Sequence, residues 1–293
     1  MVSEIKNIDC LEYLSGLEDD SVDMVLTDPP YFIGFDGGKG WDKQWKSEEE
    51  YLSWCADWTN ECLRVLKPNR MMIVYGTLKT ETFLKYKLQT SDSIKKKYNG
   101  IPQNEIIWGY NWGGRTKNNF ARKHEYAFCW SKGKSFLFNA DDVRVERKVK
   151  KNMNLEKKLM QEYLDNFDGV PTKEQKAQYK REHIDPKTLF QKGTIPTSIW
   201  TKNNHTTSKD YIGWHPTTKN IEILKRMILG YTNEGDTVLD VFMGSAATAV
   251  ACIRTGREYL GCEGDKEYFD SSLDRINKVL QEPQSVECKI NIA

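Results

Sequence analysis

The sequence predicts an α/β protein with a doubly wound, mostly parallel sheet. Strand-like apolar runs alternate with helical periodicity in the first 90 residues, and the same alternation returns after residue 214. Residues 22–27 and 71–75 are typical of strands that are buried on both faces. Between them, apolar side chains recur at helical spacing over about 47–66. The order strand, helix, strand therefore predicts parallel strands connected by helices.

The remaining segments extend this pattern and divide the chain. Further strands are predicted around Ile5–Ile8, 105–110, 124–130, 237–241 and 258–262, and further helices over about 10–16, 219–230, 247–254 and 266–280. Residues 141–193 are dense in Lys, Glu and Gln with a thin apolar stripe, which predicts an inserted helical module. Residues 1–140 and 194–281 would then be the two halves of one domain, followed by a tail over 282–293.

The composition excludes several classes of protein. The chain has 293 residues, 39% hydrophobic and 29% charged, without a run of about 20 apolar residues that could span a membrane. The N-terminus has no apolar signal region, so we expect a cytoplasmic protein. Seven cysteines without a C-x-x-C pair, and four histidines without ligand spacing, predict no metal site. With a net charge of +1, any nucleic-acid contact must come from local basic patches.

Four residues directly after the first buried strand, Asp28-Pro29-Pro30-Tyr31, form the first candidate site. Two prolines make this turn stiff and remove two backbone donors. The Asp28 carboxylate and the Pro29 carbonyl could then accept the two N–H bonds of an aromatic amine, while Tyr31 stacks on its ring. The alternative is an ordinary strand-ending turn, because Asp and Pro are common in turns.

The second candidate site follows the strand at 237–241. A loop of small residues, 242–246, opens a helix, and the next strand ends at Glu263, which lies 23 residues after Asp240. Such a loop admits a ligand to the backbone, and the acidic residue can bind a ribose diol. The loop lacks G-x-G-x-x-G, which favours an adenosine ligand with a carboxylate over a dinucleotide. An ordinary βαβ unit remains the alternative.

Together these motifs resemble the β-class of DNA amino-methyltransferases. The family order is a D-P-P-Y motif, a target-recognition insert, H-P-T-x-K-P and an F-x-G loop. These correspond here to Asp28–Tyr31, residues 141–193, His215–Asn220 and Asp240–Ala249. Three further segments are similar to family segments at the expected positions: Asp9–Glu12, Arg64–Pro68 and His124–Lys132.

The resemblance implies a seven-stranded, mostly parallel, Rossmann-like methyltransferase sheet that uses S-adenosylmethionine. It implies direct transfer of a methyl group to the exocyclic N6 amine of an adenine that is flipped out of DNA. The implied catalytic residues are Asp28, Pro29, Pro30 and Tyr31. The implied cofactor-binding residues are Asp9, Cys10, Asp28, Thr217, Lys219, Asp240, Phe242, Gly244, Ser245, Ala246, Glu263, Gly264 and Asp265.

Specific roles follow from the same resemblance. Glu263 is expected to bind the ribose, Phe242 to cover the adenine, and Lys219 with the amides near Ser245 to bind the carboxylate. His215 is expected to be structural. The sequence departs from the family pattern at Val241 and Asn220, which replace prolines, and at Ala246, which replaces a glycine. We expect the Ala246 Cβ to point into the closest approach between backbone and cofactor.

Contacts with double-stranded DNA are predicted in the basic, amide-rich run 113–123. The expected DNA-binding residues are Arg115, Lys117, Arg122 and Lys123, which suit phosphate binding. The insert adds a second basic cluster: Arg144, Arg147, Lys148, Lys150 and Lys151. For both runs the alternative is a solvated charged surface. A homodimer and an associated restriction endonuclease are compatible with the resemblance but do not follow from the residues.

Other functions remain as alternatives. Asp in the first motif position favours adenine N6, whereas Ser is usual for cytosine N4, and the cytosine N4 amine stays open. A catalytically silent DNA-binding subunit would show a broken motif, but the D-P-P-Y motif and Lys219 are intact. An RNA or protein-glutamine methyltransferase is disfavoured by Asp28 and by the motif order. A dehydrogenase is disfavoured by the missing dinucleotide glycines.

Overall fold

A computed structural model describes residues 3–35, 37–77, 100–111, 117–145, 153–184, 194–201 and 210–282. Within these ranges eight strands form one sheet. The strands are β1 (Glu4–Lys6), β2 (Val22–Thr27), β3 (Leu66–Gly76), β4 (Gly100–Gly109), β5 (His124–Lys132), β6 (Ile199–Thr201), β7 (Thr237–Asp240) and β8 (Glu258–Cys262). The α-helices are α1 (Cys10–Ser15), α2 (Glu48–Val65), α3 (Met153–Asp165), α4 (Lys173–Tyr179), α5 (Ile221–Tyr231), α6 (Ala247–Ile253) and α7 (Lys266–Gln281).

The strand order places the two candidate motifs side by side. It runs β1-β8-β7-β2-β3-β5-β4-β6 and is parallel from β1 through β3, whereas β5 is antiparallel to β3 and β4. The chain leaves β7 towards β8 and leaves β2 towards β3, so its connections diverge between β7 and β2. Ligands of open α/β sheets bind outside the carboxyl ends of strands at such a point. The strand before Asp28 and the strand that ends at Asp240 are therefore neighbours.

Strand β2 is buried on both faces, as expected for a central parallel strand. Met24 and Leu26 pack in one apolar cluster with Met227 of α5. Val25 points the other way and packs in a second cluster with Trp58 of α2. Helices therefore cover both faces of the sheet, and the predicted doubly wound α/β architecture is confirmed.

The number of strands differs from the prediction. The resemblance implied seven strands, but Ile199–Thr201 pairs in parallel with β4 as an eighth. Three residues are too short for a periodic pattern, and Ile199 and Thr201 are exposed, so the local sequence carries no strand signal. Pairing with the longer strand β4 forms this strand.

Residues 144–196 form a compact unit of their own, whereas the insert was predicted over 141–193. Its described residues include α3, α4 and a π-helical turn at Lys180–Ile184. Tyr163 of α3 stacks on Tyr179 of α4 with ring centroids 4.0 Å apart. A role of this unit in target recognition stays a prediction, and the proposed tail lies outside the described residues from residue 283 onwards. None of the described helices combines the length and apolar character needed to cross a membrane.

Candidate functional site

A cavity of about 1310 Å³ opens at the carboxyl ends of β2 and β7. Every predicted catalytic and cofactor-binding residue except Ala246 lines it: Asp9, Cys10, Asp28, Pro29, Pro30, Tyr31, Thr217, Lys219, Asp240, Phe242, Gly244, Ser245, Glu263, Gly264 and Asp265. The two motifs, about 210 residues apart in the chain, therefore share one cavity. Their roles in catalysis and cofactor binding stay predictions.

Both oxygens of the Asp28 carboxylate have partners inside the protein. The Tyr31 hydroxyl donates to Oδ1 at 2.5 Å, and the Lys219 ammonium donates to Oδ2 at 2.5 Å. Burial and the adjacent Asp28 charge hold the pKa of Tyr31 well above its usual value, so its hydroxyl stays protonated and continues to donate. These two bonds orient the carboxylate in the cavity.

Lys219 lies between two carboxylates. Its Nζ is 3.2 Å from Glu125 Oε2 in addition to its bond to Asp28. Burial opposes the charge of this ammonium, but the two carboxylates outweigh burial and raise the pKa of Lys219 above its usual value. Lys219 was predicted to bind a cofactor carboxylate, which stays a prediction. Glu125 was not among the predicted residues, although it lies in a segment that resembles the family.

The loop after the D-P-P-Y motif is organised by Asp42, which was not among the predicted residues either. The Asp42 carboxylate is 1% exposed and accepts hydrogen bonds from four successive amides. These are the amides of Phe32, Ile33, Gly34 and Phe35, at 2.6 to 3.2 Å. Phe32 has a left-handed φ of 55°, which costs free energy in a residue with a Cβ. Four hydrogen bonds to one buried charge offset that cost and fix the loop.

A side chain of helix α2 donates a hydrogen bond to the backbone of the second proline of the motif. The helix begins after Ser47, whose hydroxyl accepts from the Glu50 amide. In its first turn, the Tyr51 hydroxyl donates to the Pro30 carbonyl at 2.8 Å. The Pro29 carbonyl, which was predicted to accept from the target amine, accepts no hydrogen bond from any residue that the structure describes.

A buried hydrogen bond joins the two strand ends. Thr27 Oγ1 donates to Asp240 Oδ1 at 2.7 Å, and the Phe242 amide donates to the same oxygen at 3.1 Å. The Phe242 ring packs against Trp54 and Trp58 of α2, with centroids 5.4 and 5.3 Å away. Trp54 and Phe242 both line the cavity, which gives it an aromatic wall suited to a flat ring.

The titration of Asp240 provides a stability test. Burial raises the pKa of this carboxyl to about 6, against about 3.9 in an unfolded chain. The ionised form therefore costs stability at neutral pH, and this cost is relieved as the pH falls from 7 to 4. We expect the free energy of unfolding of the wild type, relative to that of Asp240→Asn, to rise by up to about 3 kcal/mol over this range.

Chemical denaturation of both proteins at pH 7, 6, 5 and 4 measures this difference. Asp274→Asn, which replaces an exposed carboxylate on α7, is the matched control. A difference between wild type and Asp240→Asn that stays constant with pH would contradict the assignment.

The loop after β7 is held from two sides. The Gly244 amide donates to Glu263 Oε2 at 2.7 Å, and the Ser272 hydroxyl donates to the Gly244 carbonyl at 2.5 Å. The Arg275 guanidinium donates to the Ser245 carbonyl at 2.8 Å. Ser272 and Arg275 lie on α7 and were not predicted, because neither belongs to a recognisable motif. Together these bonds determine the path of the loop along the cavity.

Ala246 differs from its predicted position. It is fully buried and does not line the cavity, so its Cβ does not narrow the approach of a cofactor. Its amide donates to the Met243 carbonyl at 2.8 Å. Its φ of 57° lies in the left-handed region, a conformation that glycine adopts at a lower cost in free energy than alanine. The conformation of the backbone, and not the space in the cavity, is therefore the physical reason for glycine at this position.

Glu263 directly follows β8, and its carboxylate faces the loop. Besides the Gly244 amide on Oε2, the Asp265 amide donates to Oε1 at 2.8 Å. Burial raises the pKa of Glu263 above its usual value. A carboxylate offers about four lone-pair sites, so each oxygen can still accept a hydroxyl hydrogen. The predicted contact with a ribose diol is therefore compatible with the bonds inside the protein.

Two other predicted carboxylates cap helices. Asp9 Oδ1 accepts from the Leu11 amide of α1 at 2.8 Å, and Asp265 Oδ1 accepts from the Glu267 amide of α7 at 2.9 Å. Both residues still border the cavity. Burial raises the pKa of the Cys10 thiol to about 12, which makes it an inert apolar wall residue.

His215 packs against the loop. A Cβ added to Gly244 would lie 2.9 Å from its Nε2, and its ring centroid is 4.6 Å from that of Tyr268. The Thr217 amide donates to His215 Nδ1 at 3.3 Å. Burial lowers the pKa of His215 to about 4, so the ring is neutral at physiological pH. These contacts agree with the expected structural role.

The predicted DNA-binding residues lie only partly in the described ranges. Arg115, with Arg147, Lys148, Lys150 and Lys151 of the insert, lies outside them. Residues 117–123 precede β5, whose first residues pair with the end of β3. Since β3 is parallel to β2, this loop leaves the sheet at the edge where the cavity opens. Lys117 and Arg122 are exposed there, Lys123 is half-buried, and Phe120 is 98% exposed.

The chain is similar to known DNA-modifying enzymes. Residues 22–274 match the N6/N4 family described as DNA methylase. The type II methyltransferase M.HpaI of Haemophilus parainfluenzae is 28% identical over 270 residues, which are 91% of this chain and 72% of that protein. DNA adenine methyltransferase YhdJ of Escherichia coli (strain K12) is 28% identical over 273 residues, 92% of this chain and 81% of that protein.

A solved structure supports the fold. The M1.HpyAVI–SAM complex has a TM-score of 0.55 at 21% identity and covers 94% of this chain and 100% of that chain. At this identity the similarity concerns the α/β methyltransferase fold alone. The match to the family, by contrast, spans most of the sequence and includes both motifs of the cavity. The protein therefore belongs to the N6/N4 DNA methylase family.

Proposed function

We propose that this DNA methylase transfers a methyl group from S-adenosylmethionine to the N6 amine of adenine in double-stranded DNA. The observation that carries the proposal is the position of the Asp28 carboxylate in the shared cavity, beside the hydrogen-bonded ends of β2 and β7. The name of the relative YhdJ, a DNA adenine methyltransferase, favours adenine. The N4 amine of cytosine is the second candidate, because the matching family includes both types.

The cavity fits the proposed cofactor. Its aromatic wall suits an adenine ring, the carboxylate of Glu263 suits a ribose diol, and Ser245 offers an amide and a hydroxyl for a carboxylate. The amides of Gly244 and Ala246 already donate hydrogen bonds within the protein. We therefore assign the amide of Ser245 as the donor from this loop to the cofactor. When bound, S-adenosylmethionine supplies a sulfonium methyl group, and the electrons of the broken carbon–sulfur bond remain on sulfur.

Asp28 would prepare the acceptor nitrogen. An exocyclic amine is a weak nucleophile because its lone pair is delocalised into the ring. Hydrogen bonds from its two N–H groups to Asp28 and to the Pro29 carbonyl would localise that lone pair and orient it. As the new carbon–nitrogen bond forms, the nitrogen becomes positively charged, and the Asp28 carboxylate stabilises that charge. The proton then passes to solvent, and Tyr31 would stack on the base.

One labelling experiment tests this proposal. The protein is incubated with methyl-labelled S-adenosylmethionine and duplex DNA that lacks adenine and cytosine methylation, and the DNA is digested to nucleosides. We expect label in N6-methyladenine. Label in N4-methylcytosine would keep the mechanism and change the base. No label in either nucleoside, with cofactor binding confirmed by calorimetry, would overturn the proposal and favour a silent DNA-binding subunit.

The exposed basic residues before β5 would bind DNA phosphates. We expect Lys117→Gln combined with Arg122→Gln to weaken duplex binding by about tenfold or more, because two counterion-releasing contacts are lost. The slope of log affinity against log salt should become shallower by about 2. Fluorescence anisotropy of a labelled duplex at several salt concentrations measures both quantities.

A matched control changes two other exposed lysines. Lys134 follows the carboxyl end of β5, and Lys278 lies near the end of α7, so both are at the opposite edge of the sheet from the cavity. Lys134→Gln with Lys278→Gln removes the same net charge and should leave the slope nearly unchanged. Equal effects of the two double variants would show that the loop makes no specific phosphate contacts.

Further properties are proposed on the family resemblance alone. A homodimer can be tested by light scattering, and a restriction endonuclease partner by assaying cleavage of unmethylated DNA at the methylated sequence. We also propose a cytoplasmic location, since an enzyme of this kind must reach DNA.

A further inference from the structure

We propose that Glu125 is a positioning residue that gives the Asp28–Lys219–Glu125 cluster one net negative charge, which methyl transfer requires. This inference rests on the proposed function and deepens it. The three side chains come from different parts of the fold: Asp28 follows β2, Glu125 is the second residue of β5, and Lys219 precedes α5. They meet at the Lys219 ammonium, 2.5 Å from Asp28 and 3.2 Å from Glu125.

The charges in this cluster cannot be screened well by solvent. The side chain of Lys219 is 8% exposed, and those of Asp28 and Glu125 are 22% and 21% exposed. Charges removed from water interact more strongly than charges at the surface. Two carboxylates around one ammonium leave a single negative charge. Without Glu125, the cluster would be the neutral pair of Lys219 and Asp28.

The three rings around the cluster, those of Tyr31, Tyr75 and His215, add no charge to it. Lys219 Nζ lies 5.6 Å from the ring centroid of Tyr31 and 5.1 Å from that of Tyr75. The pKa values of both tyrosines are raised, chiefly by burial, so both rings are uncharged. His215, which senses the charges of Asp28 and Lys219, is neutral at physiological pH because burial lowers its pKa to about 4. The charge of the cluster is therefore that of Asp28, Lys219 and Glu125. Asp240, whose carboxyl also interacts with Asp28, is the same in every variant compared below.

A neutral cluster would oppose the reaction. The acceptor nitrogen becomes positively charged while it is hydrogen-bonded to Asp28, and the Lys219 ammonium lies on the same carboxylate. Lys219 would cancel the stabilising charge of Asp28 and repel the developing cation. Glu125 restores the negative charge and shares the ammonium, which leaves Asp28 a stronger acceptor for the target amine.

The charge balance predicts a rescue. Glu125→Gln keeps the shape but neutralises the cluster, and we expect the single-turnover rate of transfer to fall on the order of 10- to 100-fold at saturating cofactor and DNA. In the double variant Glu125→Gln with Lys219→Met, Asp28 alone restores one negative charge. This variant should be faster than Glu125→Gln, whereas a merely structural role of Glu125 would make it slower or equal.

The matched control Glu234→Gln removes an exposed carboxylate before β7, at the opposite edge of the sheet, and should retain the wild-type rate.

Thermal unfolding provides a second readout that is independent of activity. Lys219→Met leaves two carboxylates facing each other without a cation, so its melting temperature should be lower than that of the double variant. An equal or higher melting temperature of Lys219→Met would overturn the electrostatic coupling. In the transfer assay, an unchanged rate in Glu125→Gln, or a double variant no faster than Glu125→Gln, would overturn the catalytic role. If the wild type transfers no label, the proposed function fails, whereas the melting comparison still tests the coupling.

Discussion

Asp28→Ala is expected to abolish methyl transfer, with a loss of at least about 10³-fold in rate, while cofactor binding remains measurable. The substitution removes the group that would accept from the target amine and stabilise the positive charge on nitrogen. The fold should persist, because Lys219 retains Glu125 as a counterion and Tyr31 stays packed in the core. Single-turnover transfer of label to DNA measures the rate, and calorimetry with S-adenosylhomocysteine measures the binding.

Asp28→Asn separates the charge from the hydrogen bond. It keeps an acceptor oxygen for an N–H group but removes the negative charge, so we expect it to be nearly as inactive as alanine if charge stabilisation dominates. The exposed Asp274→Ala on α7 is the control and should behave as the wild type. Asp28→Ala could instead lose both cofactor binding and methyl transfer while its unfolding transition stays unchanged. That result would mean that Asp28 acts mainly in binding the cofactor.

The arrangement of the two motifs could be predicted from the sequence because each lies directly after a strand with a strong local pattern. Residues 22–27 are apolar enough to identify a central strand, and the segment from 237 to Glu263 has the order of a βαβ unit. Because parallel strands place their carboxyl ends at one edge of a sheet, both motifs could be expected at the same edge. The sequence does not show that β2 and β7 are adjacent, and the structure shows it in the pairing of Val25 with Leu239.

The supporting residues could not be predicted because nothing local marks them. Asp42 lies in a polar, glycine-rich loop without periodicity, and only the folded loop brings four amides to its carboxylate. Glu125 lies in a recognisable strand, but its approach to Lys219 depends on the pairing of β5 with β3 and on the chain before α5. Ile199–Thr201 becomes a strand only beside β4. Each of these features depends on contacts between residues far apart in the sequence.

Gly244→Ala is expected to weaken cofactor binding by about tenfold or more, because the loop after β7 has no room for a side chain at this position. Gly244 has a left-handed φ of 49°, and an added Cβ would lie 2.9 Å from His215 Nε2. His215 cannot easily retreat, since its ring packs on Tyr268. Strain of about 1–3 kcal/mol would displace the loop, and with it the bond from the Gly244 amide to Glu263.

Isothermal titration with S-adenosylhomocysteine measures this effect, and Gly213→Ala is the matched control. Gly213 has no left-handed φ, and nothing lies within 4 Å of its added Cβ, so its affinity should equal that of the wild type. At saturating cofactor, Gly244→Ala should recover most of the single-turnover rate, because Asp28 and its partners are untouched. Equal affinities in the two variants would exclude the loop from cofactor binding. A single-turnover rate that stays low at saturating cofactor would instead mean that Gly244 contributes to the methyl-transfer step, as Asp28 does, and not to cofactor binding alone.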